Sequence, residues 1–361
     1  MIIIKKYKVC VYAIAKNEEK FVKRWYESMK EADKIVVLDT GSTDNTVKLL
    51  KELNVDVYEK KYDFFRFDVA RNDSLKLIPD DYEICVCTDL DEVFSKGWKK
   101  KLLKIWNDDV TRISYTYNWS FDEYKNPATT FMLNKIHKNH YYTWSHPVHE
   151  VLTPIDTEKQ IECADIILNH YPDHNKSRIN YLKLLELSVN EDPLDDRNMH
   201  YLGREYMYYQ KWNESIRTLK KHLSLDKATW KDERCASMRY IARDYKALNN
   251  INKAEEWYLK AIEEAPYLRE GYVELAFLYY EHNNNLKAYD YLKKALEIKE
   301  KSQSYINEEF AWNSFLYDLN SIVCFNLKKY KEAYENCKKA YELDHNNIRL
   351  QINLEEIEKY L

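Results

Sequence analysis

Glycine is scarce in this chain of 361 residues, which has only four, at positions 41, 97, 203 and 271. Average usage of about 7% would give about 25 glycines in a protein of this length. With so few, neither the GxGxxG turn of dinucleotide-binding folds nor a glycine-rich phosphate loop can form, and neither motif is present. Ordinary dehydrogenases and P-loop kinases are therefore excluded.

Long apolar runs and paired cysteine motifs are also missing. No segment approaches the roughly 18 consecutive apolar residues of a membrane helix, and the N-terminal MIIIKKYKVC lacks the apolar core of a signal peptide. The seven cysteines include no CxxC pair; Cys85 and Cys87 lie on one apolar run, where buried free thiols are expected. We expect a protein without a membrane span, located in the reducing cytoplasm.

Neither half of the chain has a strong excess of one charge. Residues 1–173 contain 26 Lys and Arg against 29 Asp and Glu, and residues 174–361 contain 30 against 31. Proteins that bind duplex DNA rely on many phosphate contacts from Lys and Arg. The balance disfavours a nucleic acid or membrane-surface partner, although a local basic patch would still fit it.

The first part of the chain, residues 1–173, alternates apolar runs with amphipathic stretches. The pattern predicts strands at 8–15, 34–39, 55–60 and 83–87, separated by helices at 18–31, 42–53 and 67–77. Such alternation is typical of an α/β domain with a mostly parallel sheet covered on both faces. Ligands of these sheets bind beyond the carboxyl ends of the strands, so polar residues there are the candidates for function.

The second part, residues 174–361, has helical periodicity only. An amphipathic helix is predicted at 175–193, and a 34-residue repeat follows, in which Ala242, Ala254 and Ala261 recur as Ala276, Ala288 and Ala295. Antiparallel helix pairs need small residues where they cross, and this spacing is typical of tetratricopeptide repeats. We predict an all-α repeat domain whose surface binds a peptide, a protein or a second copy of the chain.

The most informative polar segment is Thr88-Asp89-Leu90-Asp91-Glu92, a DxD triplet directly after an apolar strand. Positions two apart on an extended chain face the same side, so Asp89 and Asp91 can present two carboxylates together. Such oxygen ligands suit Mg²⁺ or Mn²⁺, which would bridge a substrate diphosphate. The alternative is a pair of solvated carboxylates in a turn.

A second candidate site is VVLDTGSTDNT at 36–46. Asp39 ends a predicted buried strand, and Ser42 or Thr43 can cap the next helix. A buried carboxylate needs hydrogen-bond donors. A uracil imide or a ribose hydroxyl could supply them to Asp39.

Five segments together resemble a known family. IAKNEE (14–19), VVLDTGSTDNT (36–46), FDVARNDSL (67–75) and CTDLDEVF (87–94) resemble the ordered motifs of family 2 glycosyltransferases with the GT-A fold. SHPVHEVL (145–152), followed by helical repeats, resembles a bacterial and phage subgroup that includes the peptide S-glycosyltransferases of bacteriocin biosynthesis. The chain lacks the QxxRW motif of processive polysaccharide synthases.

The resemblance implies a Rossmann-like GT-A domain and a non-processive, inverting transfer of a hexose from a nucleotide sugar, with UDP as the expected nucleotide. It assigns nucleotide-sugar binding to the following residues: Ala13, Asn17, Asp39, Arg71, Asp89 and Leu90. Asp91 would bind Mn²⁺ or Mg²⁺, with Asp89 and His149 as further ligands and His146 as a weaker candidate. Arg71 could instead be a surface residue paired with Asp68 or Asp73, and His149 a structural histidine.

An inverting transferase needs a base that takes a proton from the acceptor. Glu150, beside His149, is the first candidate, and Asp122 and Glu123 are alternatives. Asp91 is counted as catalytic through the charge that its metal would stabilise. A thiol acceptor would need little base strength, because its pKa of about 8.5 leaves some thiolate at neutral pH.

Aromatic residues make up 14% of the chain, and six of them cluster near the predicted donor pocket: Tyr115, Tyr117, Trp119, Tyr141, Tyr142 and Trp144. Sugar rings stack on aromatic faces, but strands and repeat cores use them too. We favour packing roles for Tyr115 and Tyr117 and leave Trp119 and Trp144 open.

The favoured acceptor is a peptide or protein side chain, and the repeats could also form a homodimer. A surface glycan, a lipid-linked sugar or a modified phage DNA base would keep the same donor chemistry. An alternative of another class is an inactive adaptor that binds a protein through its repeats. The donor sugar, among them glucose, galactose, N-acetylglucosamine and rhamnose, is left open.

Overall fold

A computed structural model describes residues 7–122, 125–173, 181–302 and 304–361. The chain divides into two compact units, Met1–Ser188 and Val189–Leu361. The first combines strands and helices, whereas the described residues of the second are almost all in helices or the turns between them. The α/β and all-α classes predicted for the two parts are confirmed. The domain boundary predicted at 173/174 adjoins residues outside the described ranges and stays a prediction.

The first unit begins with the predicted strand–helix alternation. Its opening elements are β1 (Val9–Ala15), α1 (Glu19–Met29), β2 (Lys34–Asp39), α2 (Thr46–Glu52), β3 (Asp56–Glu59), α3 (Phe67–Leu75) and β4 (Ile84–Cys87). Then follow β5 (Glu92–Phe94), α4 (Trp98–Ile105), β6 (Arg112–Phe121), β7 (Pro127–Lys138), β8 (Tyr142–Ser145), β9 (Val151–Pro154), β10 (Gln160–His170) and α5 (Tyr181–Glu191). Of the helix predicted at 175–193, residues 175–180 lie outside the described ranges.

Eight strands form one sheet in the order β3-β2-β1-β4-β7-β6-β10-β5. The pairs within β3-β2-β1-β4 are parallel, as is β6 with β10, while β7 runs antiparallel to both of its neighbours and β5 is antiparallel to β10. Strands β8 and β9 form a separate antiparallel pair. The predicted mostly parallel sheet is confirmed over its first four strands, and the antiparallel strands extend it on the β4 side.

Helix α1 shows why the alternation folds in this way. Its buried residues Phe21, Val22, Trp25 and Met29 recur every three or four positions, which places them on one face of the helix. They pack in the same core as the fully buried strand residues of β1 and β4. Burial of this apolar stripe holds the helix on the sheet and fixes the carboxyl ends of the strands beneath it.

The second unit consists of consecutive helices joined by short turns, with one longer connection before α12. They are α6 (Asp196–Tyr208), α7 (Trp212–Leu223), α8 (Lys231–Ala247), α9 (Ile251–Glu264), α10 (Arg269–Glu281), α11 (Asn285–Glu297), α12 (Ser314–Asn326), α13 (Tyr330–Leu343) and α14 (Ile348–Glu358). The small residues of the 34-residue repeat are fully buried between paired helices. The predicted helical repeat is therefore confirmed for α8–α11, the helices in which its two clearest copies lie.

Four of the turns within helix pairs share one geometry. The second residue after the first helix has a left-handed backbone: Gln210, Asn249, Asn283 and Lys328, each with φ between 57° and 60°. The next residue donates its N–H to a carbonyl five positions earlier, for example Asn250 to Tyr245 at 2.8 Å and Asn284 to Tyr279 at 2.9 Å. These bonds satisfy carbonyl groups that the helix end leaves open.

All seven cysteines are free thiols, and six of them, including Cys85 and Cys87, are buried. The prediction of buried free thiols at these two positions is confirmed. In the described part of the chain, no helix combines the length and the apolar character that crossing a membrane requires.

Candidate active site

Three of the predicted site segments meet at one edge of the sheet. In the parallel register Ala15 of β1 lies beside Asp39 of β2, and Tyr12 of β1 beside Cys87 of β4. The segments that follow these strands, with Asn17 and Asp89, therefore leave the sheet on the same side. This is the carboxyl edge, where open α/β sheets bind their ligands.

Asp39 finds its donors within its own loop. Its Oδ1 accepts the backbone N–H groups of Gly41 at 2.9 Å and Ser42 at 2.8 Å, and its Oδ2 accepts the Ser42 hydroxyl. Gly41 has φ +107°, a value that L side chains rarely adopt. The tight turn therefore supplies donors to Asp39, and the assignment of Asp39 to nucleotide-sugar binding stays a prediction.

The loop after β2 is also fastened to the loop after β1. Asn17, with φ 56°, donates its N–H to Ser42 Oγ at 2.8 Å and accepts the N–H of Thr43 on its side-chain oxygen at 2.7 Å. Ser42 and Thr43 thus do not cap α2, contrary to prediction; α2 begins at Thr46, whose N–H bonds to Asp44 Oδ1 at 2.9 Å. The two loops form one rigid rim.

Ala13 and Leu90, two of the residues predicted to bind the nucleotide sugar, are core residues. Ala13 is fully buried in the middle of β1, and Leu90 is 1% exposed. Both pack in the main apolar core of the first unit. They have almost no surface with which to contact a nucleotide.

Arg71 of α3 lies at the centre of the edge. Its side chain is 3% exposed, with Nη2 at 2.6 Å from Asp89 Oδ1 and Nε at 2.7 Å from Glu150 Oε1. Burial alone would lower the pKa of Arg71, but the charge of Asp89, the thiol of Cys87 and the charge of Glu150 raise it well above its usual range. Arg71 is a permanent cation that fixes two carboxylates from different segments.

The alternative of a surface arginine paired with Asp68 or Asp73 is wrong for Arg71. Asp68 is paired with Arg66 at 2.8 Å, and Asp73 with Lys60 at 2.6 Å. Because the ARN triplet lies on the buried face of α3, the guanidinium points towards the end of β4.

A turn after β4 fixes the orientation of the DxD triplet. The backbone N–H of Asp89 bonds to Glu92 Oε2 at 2.8 Å, and Tyr117 donates to Glu92 Oε1 at 2.8 Å. Burial raises the pKa of Glu92 from its ordinary value, although nearby Lys135 lowers it. Just before the triplet, Trp25 of α1 donates its ring N–H to Thr88 at 3.0 Å. The carboxylates of Asp89 and Asp91 therefore project from a rigid turn.

Two residues at this edge were not predicted from the sequence. Lys135 of β7 places Nζ at 3.5 Å from Asp89 Oδ2, and His170 at the end of β10 places Nε2 at 3.6 Å from Asp91 Oδ2. Burial lowers the pKa of His170, but the hydrogen bond and charge of Asp91 raise it above its ordinary value overall. His170 follows the apolar residues Ile166, Ile167 and Leu168, a pattern typical of the end of a buried strand. Sequence analysis did not assign these residues to a strand of this sheet, so His170 was not found.

We use the name edge cluster for the charged and titratable residues gathered here. They are Arg71, Asp89, Asp91, Glu92, Lys135, Glu150 and His170. The cluster contains four carboxyl groups against two permanent cations and one histidine. Even with Glu92 protonated, carboxylates outnumber the permanent cations, and the Asp89 side chain is 37% exposed. Protonation of His170, which the charge of Asp91 favours, would balance these charges, so the edge is an open site rich in charged groups among the described residues.

His149 contacts a different element. Its backbone is left-handed, with φ 52°, and its ring lies 5.6 Å from that of Tyr181 in α5. Among the described residues, the ligand atoms of Asp89, Asp91 and His149 do not form a group within 4.8 Å of one another. The structure brings His170, not His149, within ion-pair distance of Asp91, and the metal ligands named from the sequence stay a prediction.

Two residues of the edge cluster are suited to bind a divalent cation, and a third is less suited. Asp91 and His170, whose side chains are 12% and 9% exposed, offer a carboxylate oxygen and an imidazole nitrogen, and both atom types bind Mn²⁺. Asp89 is less suited to the role of a ligand, since Arg71 and Lys135 already approach both of its oxygens. Its contacts instead join α3 and β7 to the turn after β4.

The predicted bases differ in their surroundings. Glu150 is fixed by Arg71, and its side chain is 10% exposed. Asp122 accepts the N–H of Asn126 at 2.7 Å in a loop after β6, while Glu123 lies outside the described residues. The role of each as base stays a prediction.

The aromatic cluster divides into buried and exposed members. Tyr115 and Tyr117 are buried, as expected for packing roles, and Trp144 is 4% exposed with its ring N–H bonded to Tyr12. Trp119 is 48% exposed, and its ring stacks on His170 at 4.4 Å. Of the two tryptophans left open, Trp119 is therefore the one that offers a face beside the edge cluster.

A family model matches much of the first unit. Residues 10–153, which include β1 to β4 and the DxD turn, match the model of glycosyl transferase family 2. The matched residues are those that form the carboxyl edge of the parallel strands and most of the remaining strands.

Two curated relatives are glycosyltransferases. The SPbeta prophage-derived glycosyltransferase SunS of Bacillus subtilis (strain 168) and glycosyltransferase SunS of Bacillus phage SPbeta are each 28% identical over 231 residues. The match covers 58% of this chain and 52% of each relative, so the chain spans about half the length of the curated relatives it matches.

Solved structures resemble the chain only distantly. MamA is 19% identical, covers 50% of this chain and 99% of its own, and has a TM-score of 0.38. The Cut9–Hcn1 hetero-tetramer of APC/C is 15% identical, covers 50% and 33%, and has a TM-score of 0.40. TM-scores below 0.5 do not establish a shared fold, so no conclusion about the helical unit is taken from these structures.

Proposed function

We propose that the protein is a metal-dependent, inverting, non-processive glycosyltransferase. It moves a hexose from a UDP-sugar to an acceptor, and the favoured acceptor is a side chain of a peptide or protein. One observation carries the proposal: the carboxyl edge of a unit that matches family 2 presents an open cluster in which carboxylates outnumber the permanent cations. A divalent cation held by these carboxylates would offset the charge of the substrate diphosphate there.

Asp91 and His170 are the proposed ligands of Mn²⁺ or Mg²⁺. Mixed oxygen and nitrogen donors favour Mn²⁺, since Mg²⁺ takes oxygen ligands and keeps its waters. When bound, the ion supplies positive charge that stabilises the departing diphosphate. In this proposal His170 takes the role that the sequence suggested for His149.

Arg71 is proposed as a positioning residue. Its Nη2 pairs with Asp89 and its Nε with Glu150, so one guanidinium orients both carboxylates. Asp89, 37% exposed, would accept a hydrogen bond from a ribose hydroxyl of the donor. The rigid rim of Asn17 and Asp39 would border the uracil.

Glu150 is proposed as the base that takes the acceptor proton. Arg71 engages its Oε1 and so fixes the direction in which the carboxylate faces. Its Oε2 would receive the proton as the acceptor attacks the anomeric carbon from the side opposite the diphosphate. Asp122 is the alternative base, and Glu150→Gln against Asp122→Asn separates the two.

The first test is donor turnover without an acceptor. Purified protein is incubated with a panel of nucleotide sugars in Mn²⁺, Mg²⁺ or EDTA, and released nucleoside diphosphate is measured. We expect slow hydrolysis of one UDP-sugar, abolished by EDTA and by Asp91→Asn. Asp109→Asn is the matched control, because Asp109 is an exposed carboxylate of the same unit, paired only at the surface with Lys159.

Failure of this test has a defined meaning. If no donor is hydrolysed and none shifts the melting temperature in the presence of metal, the chain is better described as an adaptor. If turnover is present but survives Asp91→Asn, the proposed metal ligand is wrong while the activity stands.

The acceptor and the oligomeric state need separate experiments. The repeat unit supports a polypeptide acceptor, because such helical pairs form extended surfaces for peptides. With the donor known, transfer to Cys-, Ser- and Asn-containing peptides is followed by mass spectrometry. Light scattering then tests the proposed homodimer.

A further inference from the structure

A second cluster of ligand-type side chains lies in the helical unit, outside the site described above. Asp196, His222 and Glu233 place one carboxylate oxygen, one imidazole nitrogen and another carboxylate oxygen all within 4.8 Å of one another. They come from three successive helices: the first turn of α6, the last turn of α7 and the first turn of α8. His222 and Glu233 are buried, and Asp196 is partly exposed.

The histidine nitrogen in this cluster has no hydrogen bond. His222 is fully buried, and its Nε2 makes none with any residue in the described part of the chain. Glu233 Oε1 lies 3.3 Å away, close enough for a charge interaction. Leaving a buried nitrogen unbonded costs free energy, so its position beside two carboxylates needs an explanation.

The surroundings hold the ligand atoms in place. The other nitrogen of the ring, His222 Nδ1, is 2.9 Å from Ser237 Oγ, and the other oxygen of Glu233 accepts the hydroxyl of Tyr305 at 2.6 Å. When Nδ1 donates to the serine, Nε2 carries the lone pair and is the ligating atom. A hydrogen bond on the second nitrogen or oxygen of each ligand is the arrangement that metal sites use to orient their ligands.

The hydrogen-bond partners of Ser237 are compatible with a proton on His222 Nδ1. Ser237 Oγ also lies 2.7 Å from His200 Nδ1, and a hydroxyl has one hydrogen for the two rings. If the serine donates to His200, it must accept from His222, which leaves the His222 Nε2 lone pair facing the carboxylates. A cation between them would remove the repulsion of these electron-rich atoms.

We propose that Asp196, His222 and Glu233 form a zinc site that joins α6, α7 and α8. Imidazole nitrogen with carboxylate oxygen suits Zn²⁺, at distances of about 2.0–2.2 Å, and a water completes four-coordination. Asp196, the least buried ligand, makes the small closing movement that these bond lengths require. The site stabilises the first helices of the unit and is separate from the ion proposed for glycosyl transfer.

The test uses the full chain with Asp91→Asn as background, so that the proposed transferase site does not contribute. Metal-free protein is titrated with Zn²⁺ by calorimetry, and Co²⁺ is added as a spectroscopic probe of coordination. We expect one Zn²⁺ per chain, a higher melting temperature on binding, and a four-coordinate Co²⁺ spectrum. Mg²⁺ and Ca²⁺ should give none of these changes.

Substitutions locate the site. Glu233→Gln and His222→Gln should abolish stoichiometric Zn²⁺ binding, and Asp196→Asn should weaken it at least tenfold. Ser237→Ala or Tyr305→Phe should cost about 10–100-fold in affinity, as the loss of an orienting hydrogen bond does. His282→Gln, at an exposed histidine of the same unit, is the control that should change nothing.

Two outcomes would overturn the proposal. One is the absence of Zn²⁺ binding by the folded background protein, which would make His222 and Glu233 an ion pair only. The other is binding that is unaffected by all three ligand substitutions. If His222→Gln does not fold, Asp196→Asn in the partly exposed first turn of α6 still decides the question.

Discussion

Each unit buries one arginine against two carboxylates, and the two clusters differ in how exposed their carboxylates are. In the first unit Arg71 holds Asp89 and Glu150 at the open end of the sheet. In the second, Arg239 of α8 is fully buried and lies 3.3 Å from Glu274 and 3.7 Å from Glu308. A second arginine, Arg243, also pairs with both glutamates.

The helical cluster sets two arginines against two glutamates, and the charge of buried Glu270 also acts on Arg239. Its paired carboxylates are at most 26% exposed, whereas the Asp89 side chain of the edge cluster is 37% exposed. The edge cluster also lies at the carboxyl edge, where α/β sheets bind their ligands. We therefore expect the loss of a charge to affect donor turnover in the edge cluster and stability alone in the helical one.

The largest loss of stability is expected when the buried arginine of either cluster is replaced. Arg71→Met leaves Glu150 without its arginine and Asp89 with Lys135 alone, and Arg239→Met leaves its two glutamates with Arg243 alone. Each loss of a buried charge partner should cost about 3–5 kcal/mol of stability. Hydrogen exchange with mass spectrometry should show the loss of protection in the first unit for Arg71→Met and in the second for Arg239→Met. Only Arg71→Met should abolish donor turnover in the protein that remains folded. Normal turnover in Arg71→Met would remove Arg71 from the site.

The next largest effect concerns a fully buried histidine of β7, His137. His137 is fully buried between Tyr12 and its own strand, and burial, with a contribution from Arg112, lowers its pKa to about 4 despite a bond to a backbone carbonyl. The unfolded chain binds this proton near pH 6.5, so stability should fall by about 3 kcal/mol as the pH drops from 6.5 to 4.

Urea unfolding across this pH range should show the loss, and His137→Asn should flatten it. His140→Asn is the control, since His140 is an exposed histidine of the same unit. A pH profile that His137→Asn leaves unchanged would mean that the histidine is not held neutral by burial.

A smaller effect tests packing within the helical unit. Gly203 occupies the position that Ala242 and Ala276 take in later repeats, yet a Cβ there would overlap the side chain of Leu219. Overpacking costs about 1–3 kcal/mol, and alanine's better helix propensity offsets about 1 kcal/mol of it. Gly203→Ala should therefore lower the melting temperature of this unit.

Gly271→Ala is the matched control for this substitution. Its Cβ would lie 3.2 Å from Ile262 Cγ1, a contact that a small side-chain movement relieves. Equal destabilisation by the two changes would show that α6 and α7 tolerate an added methyl group as well as α9 and α10 do.

The smallest effect concerns the left-handed turns. Lys328 has φ 59°, a conformation that Asn249 and Asn283 adopt in equivalent turns at lower cost. Lys328→Asn should stabilise the helical unit by up to about 1 kcal/mol, measured by thermal unfolding. Asn283→Lys should have the opposite effect, and stabilisation by both would contradict the account.

The sequence predicted the parts of the fold that local pattern determines. Buried parallel strands are continuous apolar runs, so β1, β2 and β4 were located together with the polar residues that follow them. The repeat was visible because Ala242 and Ala276 must be small where helices cross. The alternation of strands and helices was enough to predict that Asp39 and Asp89 share an edge.

The missing parts depend on pairings between distant segments. His170 reaches Asp91 because β10 pairs with β5 in an antiparallel register that places His170 opposite Glu92. Lys135 is brought in by β7, which lies between β4 and β6. Neither pairing has a local signature, so sequence analysis did not name Lys135 or His170, and its own metal ligands stay a prediction.

The most direct test of the edge cluster as the donor site is a Mn²⁺ titration in the presence of UDP, followed by electron paramagnetic resonance. The account predicts one UDP-dependent Mn²⁺ per chain, lost in Asp91→Asn, weakened at least tenfold in His170→Asn and retained in His149→Asn. UDP-dependent binding that survives both Asp91→Asn and His170→Asn, or that is lost in His149→Asn, would contradict it.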